Sequence, residues 1–385
     1  MNKRLVFVSV VAFTLFMGSV LALGAAGVDQ DNKVITFAFC DALSGPAGAY
    51  GSGCLHGAEV AVAEINKQGG IGEGPLAGYT LKLEAFDDRG EAKEAASVGR
   101  QVASGEYLFV SGATISTAAL GISPVLYRAR VPYIMGWASA SSLTHQGFDN
   151  LVRTTYTTEA EALAMLKTMQ ERFGVKKASV IVENGSYGQE LLETMTANAA
   201  DFGIELGKPL TIVPKQDVDF NAVLIKAQEE TPDMLVILVE RNEGGMIVSQ
   251  ARKLGWEVPV YGPKSLGEPQ FFELAGKLGE VYLTCTPSLD TTGSYVQNFL
   301  ANWGEVYDYA PDMAAIYGYD SVKIALKVIE MGGVDRESFI EKLREVEVEG
   351  IGNPLYSFDE NGDVQVPNLI TISGQEFKAE FLDKE

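Results

Sequence analysis

Val34-Ile35-Thr36-Phe37-Ala38-Phe39-Cys40 is a run of β-branched and aromatic residues. After a loop of small residues, Ser52 to Gln68 puts Ala58, Ala61, Val62 and Ile65 on one face of a helix. Tyr79 to Phe86 and Glu91 to Ser104 repeat the pair, so the order is βαβα. The pattern continues through Tyr107 to Ser111, a helix around Thr117 to Arg130, and Pro132 to Met135. It restarts with a helix over Thr158 to Phe173, strand Ala178 to Glu183 and helix Tyr187 to Phe202. Helix Asn221 to Glu230, strand Asp233 to Val239, helix Gly244 to Leu254 and strand Val258 to Gly262 come next. Alternation this regular predicts parallel sheets covered by helices on both faces. Roughly a dozen such units exceed what one open sheet carries, so two sheets are expected, with the first boundary near Thr155 to Glu159. No Pro/Ser/Gly-rich tether separates the halves, which predicts short crossings and a hinged, two-lobed α/β protein.

The 385 residues suit two domains, and 46% hydrophobic with 21% charged residues suit a globular chain. Thirty basic against 51 acidic side chains give a net charge of −21, which repels nucleic acid and anionic lipid. Two histidines, His56 and His145, and three cysteines without a C-x-x-C spacing leave little for a zinc site or a His-activated nucleophile. No G-x-S-x-G, S-x-x-K set or H-E-x-x-H occurs, and no cofactor or enzymatic reaction is expected.

Lys3 and Arg4 precede an apolar stretch from Leu5 to Ala26 that ends in Gly24, Ala25 and Ala26, the layout of a cleaved export signal over residues 1–26. An uncleaved anchor is the rival, since the run exceeds about 18 residues. The positive flank before it and Asp29 and Asp31 after it favour export of the downstream chain. Cys40 lies too far along for a lipid anchor, so a free periplasmic protein is expected, more acidic still at −23 without Lys3 and Arg4. In that oxidising compartment Cys40 and Cys54, at the end of one strand and the start of the next helix, are either a disulfide or buried free thiols. Cys285 reads as a core residue.

Ligands of open α/β sheets bind beyond the carboxyl ends of strands. Three such loops stand out: Ala42 to Gly51, which lacks any phosphate-loop signature; Gly112 to Ala118, where Ser116 or Thr117 is placed to cap a helix; and Gly136 to Thr144, rich in hydroxyls around Trp137. A Trp in a loop is costly to leave bare.

The ordered set Ser44-Gly45-Pro46 to Tyr50-Gly51, Gly57-Ala58-Glu59 to Ile65-Asn66 and Gly69-Gly70-Ile71, Asp87-Asp88, Pro132-Tyr133-Ile134, Arg153-Thr154-Thr155, Ser186-Tyr187-Gly188, Asp219-Phe220, Gln250-Ala251-Arg252 and Phe358 to Asp363 closely resembles the leucine/isoleucine/valine-binding protein family. These are the periplasmic receptors of hydrophobic amino acid ABC transporters, and the likeness covers nearly all of the chain after the export signal. It implies a type I periplasmic binding protein fold: two doubly wound parallel-sheet lobes joined by three crossings, with residues 31–155 plus 288–362 in the first and 156–287 plus 363–385 in the second.

The resemblance further implies that Ser116 and the stretch from Trp137 to Ser139 hold the ligand's carboxylate, that Tyr187 reaches in from the opposite lobe, and that Tyr50 lines the cleft. Two positions depart from the family pattern. Lys264 stands where relatives keep the acid that receives the ligand's ammonium, and Glu240 stands where they keep a cleft tyrosine. Two ammonium groups about 4 Å apart repel by roughly 4 kcal/mol at an effective dielectric near 20. An inward Lys264 therefore implies a ligand with a second acceptor, such as a dicarboxylate, an acidic or amidated amino acid, or an aromatic acid stacked on Trp137. Glu240 supplies a replacement negative charge, or pairs with Lys264 or Arg241; the bland alternative turns the Lys264 stem to solvent. The expected function is a monomeric solute receptor that delivers a small carboxylate to an inner-membrane ABC permease. A ligand-sensing module that controls signalling or gene regulation is the second reading.

Overall fold

The computed structural model of the chain describes residues 25–285, 293–365 and 369–377. The export signal expected over residues 1–26 lies almost wholly outside them, and no helix among the described residues is long and apolar enough to cross a membrane.

The first sheet and its helices comprise β1 (Val28–Asp29), β2 (Val34–Asp41), α1 (Gly48–Lys67), β3 (Thr80–Asp87), α2 (Ala92–Ala103), β4 (Val110–Gly112), α3 (Ser116–Arg128), β5 (Tyr133–Met135) and β6 (Leu151–Arg153). The chain then crosses over at residues 154–157 into α4 (Thr158–Glu171), β7 (Lys177–Glu183), α5 (Ser186–Asn198), β8 (Glu205–Leu206), β9 (Leu210–Ile212), α6 (Asn221–Glu229) and β10 (Met234–Leu238). The same half continues with α7 (Arg241–Lys253), β11 (Val260–Gly262), α8 (Pro269–Ala275) and β12 (Val281–Cys285). It returns to cover the first sheet with α9 (Ser294–Val306), α10 (Met313–Glu330) and α11 (Arg336–Leu343), then passes back to finish the second with β13 (Ile370–Ser373) and α12 (Gly374–Phe377).

Two α/β lobes with three crossings result. In the first, β3, β2, β4, β5 and β6 run parallel, with the short β1 antiparallel on β2. In the second, the parallel order is β12-β11-β10-β7-β8, with β9 also on β7 and β13 antiparallel on the β12 edge. Period-two alternation sends successive side chains to opposite faces. Along β2, Ile35, Phe37 and Phe39 join the core under α1 and α10, whereas Ala38 and Cys40 join the core under α2 and α3. In β10, Leu235 and Ile237 face the helices α6 to α8, and Met234, Val236 and Leu238 face α4 and α5. Each of the larger apolar side chains among these, Ile35, Phe37, Phe39 and those of β10, stabilises its lobe by about 1.5–3 kcal/mol through burial.

That alternation overturns the Cys40–Cys54 disulfide. Cys54, on α1, packs on the Phe37/Phe39 face of the sheet, and Cys40 points through the other face; both are buried free thiols. Neighbouring elements are not enough for a bond when the strand's parity aims the sulfur away from the helix. Cys285 is also a buried thiol outside any disulfide.

The first helix begins four residues earlier than its apolar stripe suggested, at Gly48, which carries Tyr50 into its first turn. It crosses α10 with backbones touching. A Cβ built on Gly57 would sit 1.8 Å from the Ala315 carbonyl oxygen, and one on Gly318 the same distance from that of Cys54. Backbone cannot yield as a flexible side chain does, so Gly57→Ala is expected to destabilise the protein by about 3 kcal/mol or more. Urea unfolding followed by circular dichroism would measure it; a loss under about 1 kcal/mol would mean that the crossing relaxes freely.

Candidate functional site

The carboxyl ends of β2, β4 and β5 face those of β7, β10 and β11 across the gap between the lobes. Tyr50 comes from the first turn of α1, Ser116 opens α3, and Trp137 and Ser139 lie in the loop after β5. From the other lobe come Tyr187 on the first turn of α5, Glu240 just before α7, and Lys264 just after β11. All seven residues singled out in the sequence line one small cavity between the lobes, together with Thr114, Ile115 and Ser265. A wider mouth between Pro46, Glu91, Ser186, Lys215 and Asn242 opens beside it.

Neither Ser116 nor Thr117 caps α3. Ile115 occupies the cap position without a side-chain bond. Ser116 Oγ instead accepts the Ser139 and Ala140 N–H groups, both at 3.2 Å, tying the Trp137 loop to the helix start. With its lone pairs so engaged, the Ser116 hydroxyl is left to act as a donor at the cavity wall, beside the positive end of α3. The Trp137 ring is buried, edge-on to Tyr50 at 5.5 Å and stacked over Tyr317 at 6.0 Å. Its indole Nε1–H is buried with no hydrogen-bond partner among the described residues.

Lys264 points into the protein. Its Nζ donates to the Trp137 carbonyl (3.2 Å) and to Thr155 Oγ1 (2.8 Å), reaching across to the first lobe, and lies over the Tyr156 and Trp137 rings at 4.6 and 5.5 Å. Burial lowers its pKa to about 7, against the attraction of Glu161. Glu161, fully buried on α4, accepts from the Lys264 backbone N–H (2.6 Å), the Tyr187 hydroxyl (2.9 Å) and the Tyr156 hydroxyl (3.4 Å). Burial pushes its carboxyl up, while Lys264 and these donors pull it back.

Glu240 offers its backbone N–H to Glu183 Oε2 at 3.2 Å. Burial raises the Glu240 carboxyl to about 7, with Tyr50, Arg241 and Lys264 opposing and Glu243 reinforcing the shift. Glu183 is raised further by burial and by the neighbouring Glu240 and Glu243. Tyr50 fastens the lobes: its hydroxyl donates to the Ser265 carbonyl and accepts the Arg241 N–H, each at 3.2 Å, and the Arg241 guanidinium lies 3.4 Å from its ring centroid. Lys215 and Glu91 pair across the mouth at 2.9 Å.

Sequence reasoning missed Glu161, Thr155, Thr114, Ile115 and Ser265. Glu161 carried a signal, since it stands four residues before Met165 and three after Thr158, on the buried stripe of α4. An acid in an apolar stripe asks for a partner.

The periplasmic binding protein family model matches residues 34–371. Leu/Ile/Val-binding protein BraC3 of Rhizobium johnstonii is 30% identical over 240 residues, 62% of this chain and 64% of that protein. Leu/Ile/Val-binding protein homolog 3 of Brucella melitensis is 27% identical over 340 residues, 87% of this chain and 90% of that protein. Among solved structures, the branched-chain amino acid transporter substrate-binding protein LivJ of Streptococcus pneumoniae, in complex with isoleucine, superposes with a TM-score of 0.78 at 24% identity, covering 88% of this chain and 99% of that one. A solute-binding protein of an ABC transporter from R. palustris, in complex with benzoate, gives 0.78 at 18% identity, over 87% and 92%. The chain belongs to the periplasmic binding protein family.

Proposed function

We propose that this protein is an exported, monomeric solute receptor that closes its two lobes on a small carboxylate-bearing molecule and delivers it to an inner-membrane ABC permease. The observation that carries the reading is the Ser116 hydroxyl, locked by the Ser139 and Ala140 amides at the start of α3 and facing Tyr187, Glu240 and Lys264 across the gap. A carboxylate there bridges the two lobes, so contacts made only when the cleft is shut shift the balance toward closure. Isoleucine and benzoate, bound by two structural neighbours, have a carboxylate in common.

The lobes follow residues 31–155 plus 288–362 and 156–287 plus 363–385. The third passage falls a little later than that division, because Val364 still packs in the core of the first lobe and pairs with Phe358. The export signal over residues 1–26 is cleaved in this reading.

Ser116→Ala removes a charged hydrogen bond worth about 1.5–3 kcal/mol, so carboxylate affinity should fall about ten- to a hundredfold. Titration calorimetry on the wild-type protein and the variant tests this; equal affinities would place the carboxylate elsewhere.

A further inference from the structure

We propose that the ligand is a carboxylic acid with no amino group on the carbon beside its carboxylate, because Lys264 already holds its own ammonium where a zwitterion's would have to sit. This rests on the carboxylate-receptor reading. A carboxylate held by Ser116 and Ser139 keeps a substituent on its neighbouring carbon close to the Trp137 loop. Two acceptors there, the Trp137 carbonyl and Thr155 Oγ1, already take the Lys264 Nζ donors, at 3.2 and 2.8 Å. The nearby Glu161 is occupied as well, by the Lys264 backbone and by Tyr187 and Tyr156.

Lys264 Nζ is itself a donor in want of a further partner. It is 7% exposed, and among the described residues no carboxylate comes within 4.0 Å of its Nζ. An ammonium has three donors, and two are used. A second ammonium about 4 Å away loses roughly a thousandfold in affinity at an effective dielectric near 20, whereas an oxygen acceptor takes the third donor. The unpartnered Trp137 Nε1–H and the Ser116 and Ser139 hydroxyls add further donors around the same chamber. Glu240 is the one carboxylate among the described residues that line the cavity, and it comes from the second lobe, just before α7. A 2-oxo or 2-hydroxy acid, or an acid with a ring in that place, meets this set of groups.

Matched pairs differing only at that carbon test the inference: leucine with 4-methyl-2-oxopentanoate, phenylalanine with phenylpyruvate, and glutamate with 2-oxoglutarate. Each is titrated calorimetrically into the full mature chain, freed of bound solute by unfolding and refolding. In any pair that binds, the oxo acid should be tighter by about a hundredfold or more. An amino acid that binds as tightly as its oxo partner overturns the inference and leaves the carboxylate receptor standing. If no member of any pair binds, the receptor reading falls and the inference with it. Lys264→Met, checked for folding by circular dichroism, should weaken the oxo acid by about tenfold or more and narrow the gap within the pair. An unchanged gap shows that Lys264 does not set the preference.

Discussion

Replacing Arg153 by Met is expected to lower the unfolding free energy by about 3–5 kcal/mol, the cost of leaving one member of a buried ion pair without the other. Arg153 is fully buried at the end of β6. Its Nε meets Asp363 Oδ1 at 2.5 Å, its Nη1 donates to the Ala140 carbonyl at 2.8 Å, and its Nη2 donates to Thr144 Oγ1, which itself donates to the other Asp363 oxygen at 3.0 Å. One guanidinium thus ties the first crossing, the Trp137 loop and the approach to the third crossing. Asp363→Leu alone should cost a similar amount, since it strands the guanidinium. The double variant Arg153→Met/Asp363→Leu should recover much of the loss, because removing both charges also removes their desolvation cost. Urea unfolding of the four proteins measures this. Single variants within about 1 kcal/mol of the wild type would mean that the pair contributes little. Arg153→Met should also weaken carboxylate binding, since it frees Ala140, whose N–H holds Ser116.

The unliganded protein should be more stable near pH 5 than near pH 7. Burial raises Asp41 from 3.8 to about 7, with the nearby Asp88 adding to the shift, although Thr114 and Ala42 donate to Asp41. Asp88 and Asp320 are raised from 3.8 to about 6, both chiefly by burial. A carboxyl whose folded pKa exceeds its unfolded one keeps a proton that the unfolded chain has released. Stability is then lost as pH rises from about 4 through the folded values, up to about 4 kcal/mol for Asp41 alone. Lys264 works in the opposite sense but in another window. Lowered to about 7, it adds stability only as pH climbs from there toward 10.5. Carboxylates with lowered values, such as Asp87 and Asp233, lose their contribution only on further acidification, below about 4. Asp41→Asn keeps an acceptor for the Thr114 and Ala42 donors and removes the charge, so it should flatten the slope between pH 5 and 7. Thermal melts across that range check this; stability that rises with pH would contradict it.

The two-lobed architecture was legible because periodicity is local: strand and helix stripes such as Val34 to Cys40 and Ala58 to Ile65 are set by residues a few positions apart. The loops that carry Tyr50, Ser116, Trp137 and Ser139 followed from the rule that ligands gather beyond strand ends, whereas Tyr187, Glu240 and Lys264 followed from the family resemblance. The features that escaped depend on direction and on partners distant in sequence. Lys264 turns inward because acceptors 109 and 127 positions away await it, and nothing near it in the chain announces them. Ser116 fits a helix cap by composition, yet the amides of Ser139 and Ala140 claim its oxygen. The separation of Cys40 from Cys54 could have been read from strand parity alone, as could the odd placement of Glu161 on an apolar stripe.

The clamshell itself is tested most directly by a reversible lock. Thr117 Oγ1 and Ser186 Oγ, at the starts of α3 and α5, meet at 3.4 Å across the gap, so Thr117→Cys with Ser186→Cys brings two thiols within reach of a bond that pins the lobes shut. Oxidised without ligand, the double variant should take up none of the carboxylate that the reduced form binds, and reduction should restore full binding. Uptake at equal rates in both forms would mean that the ligand does not enter between the lobes.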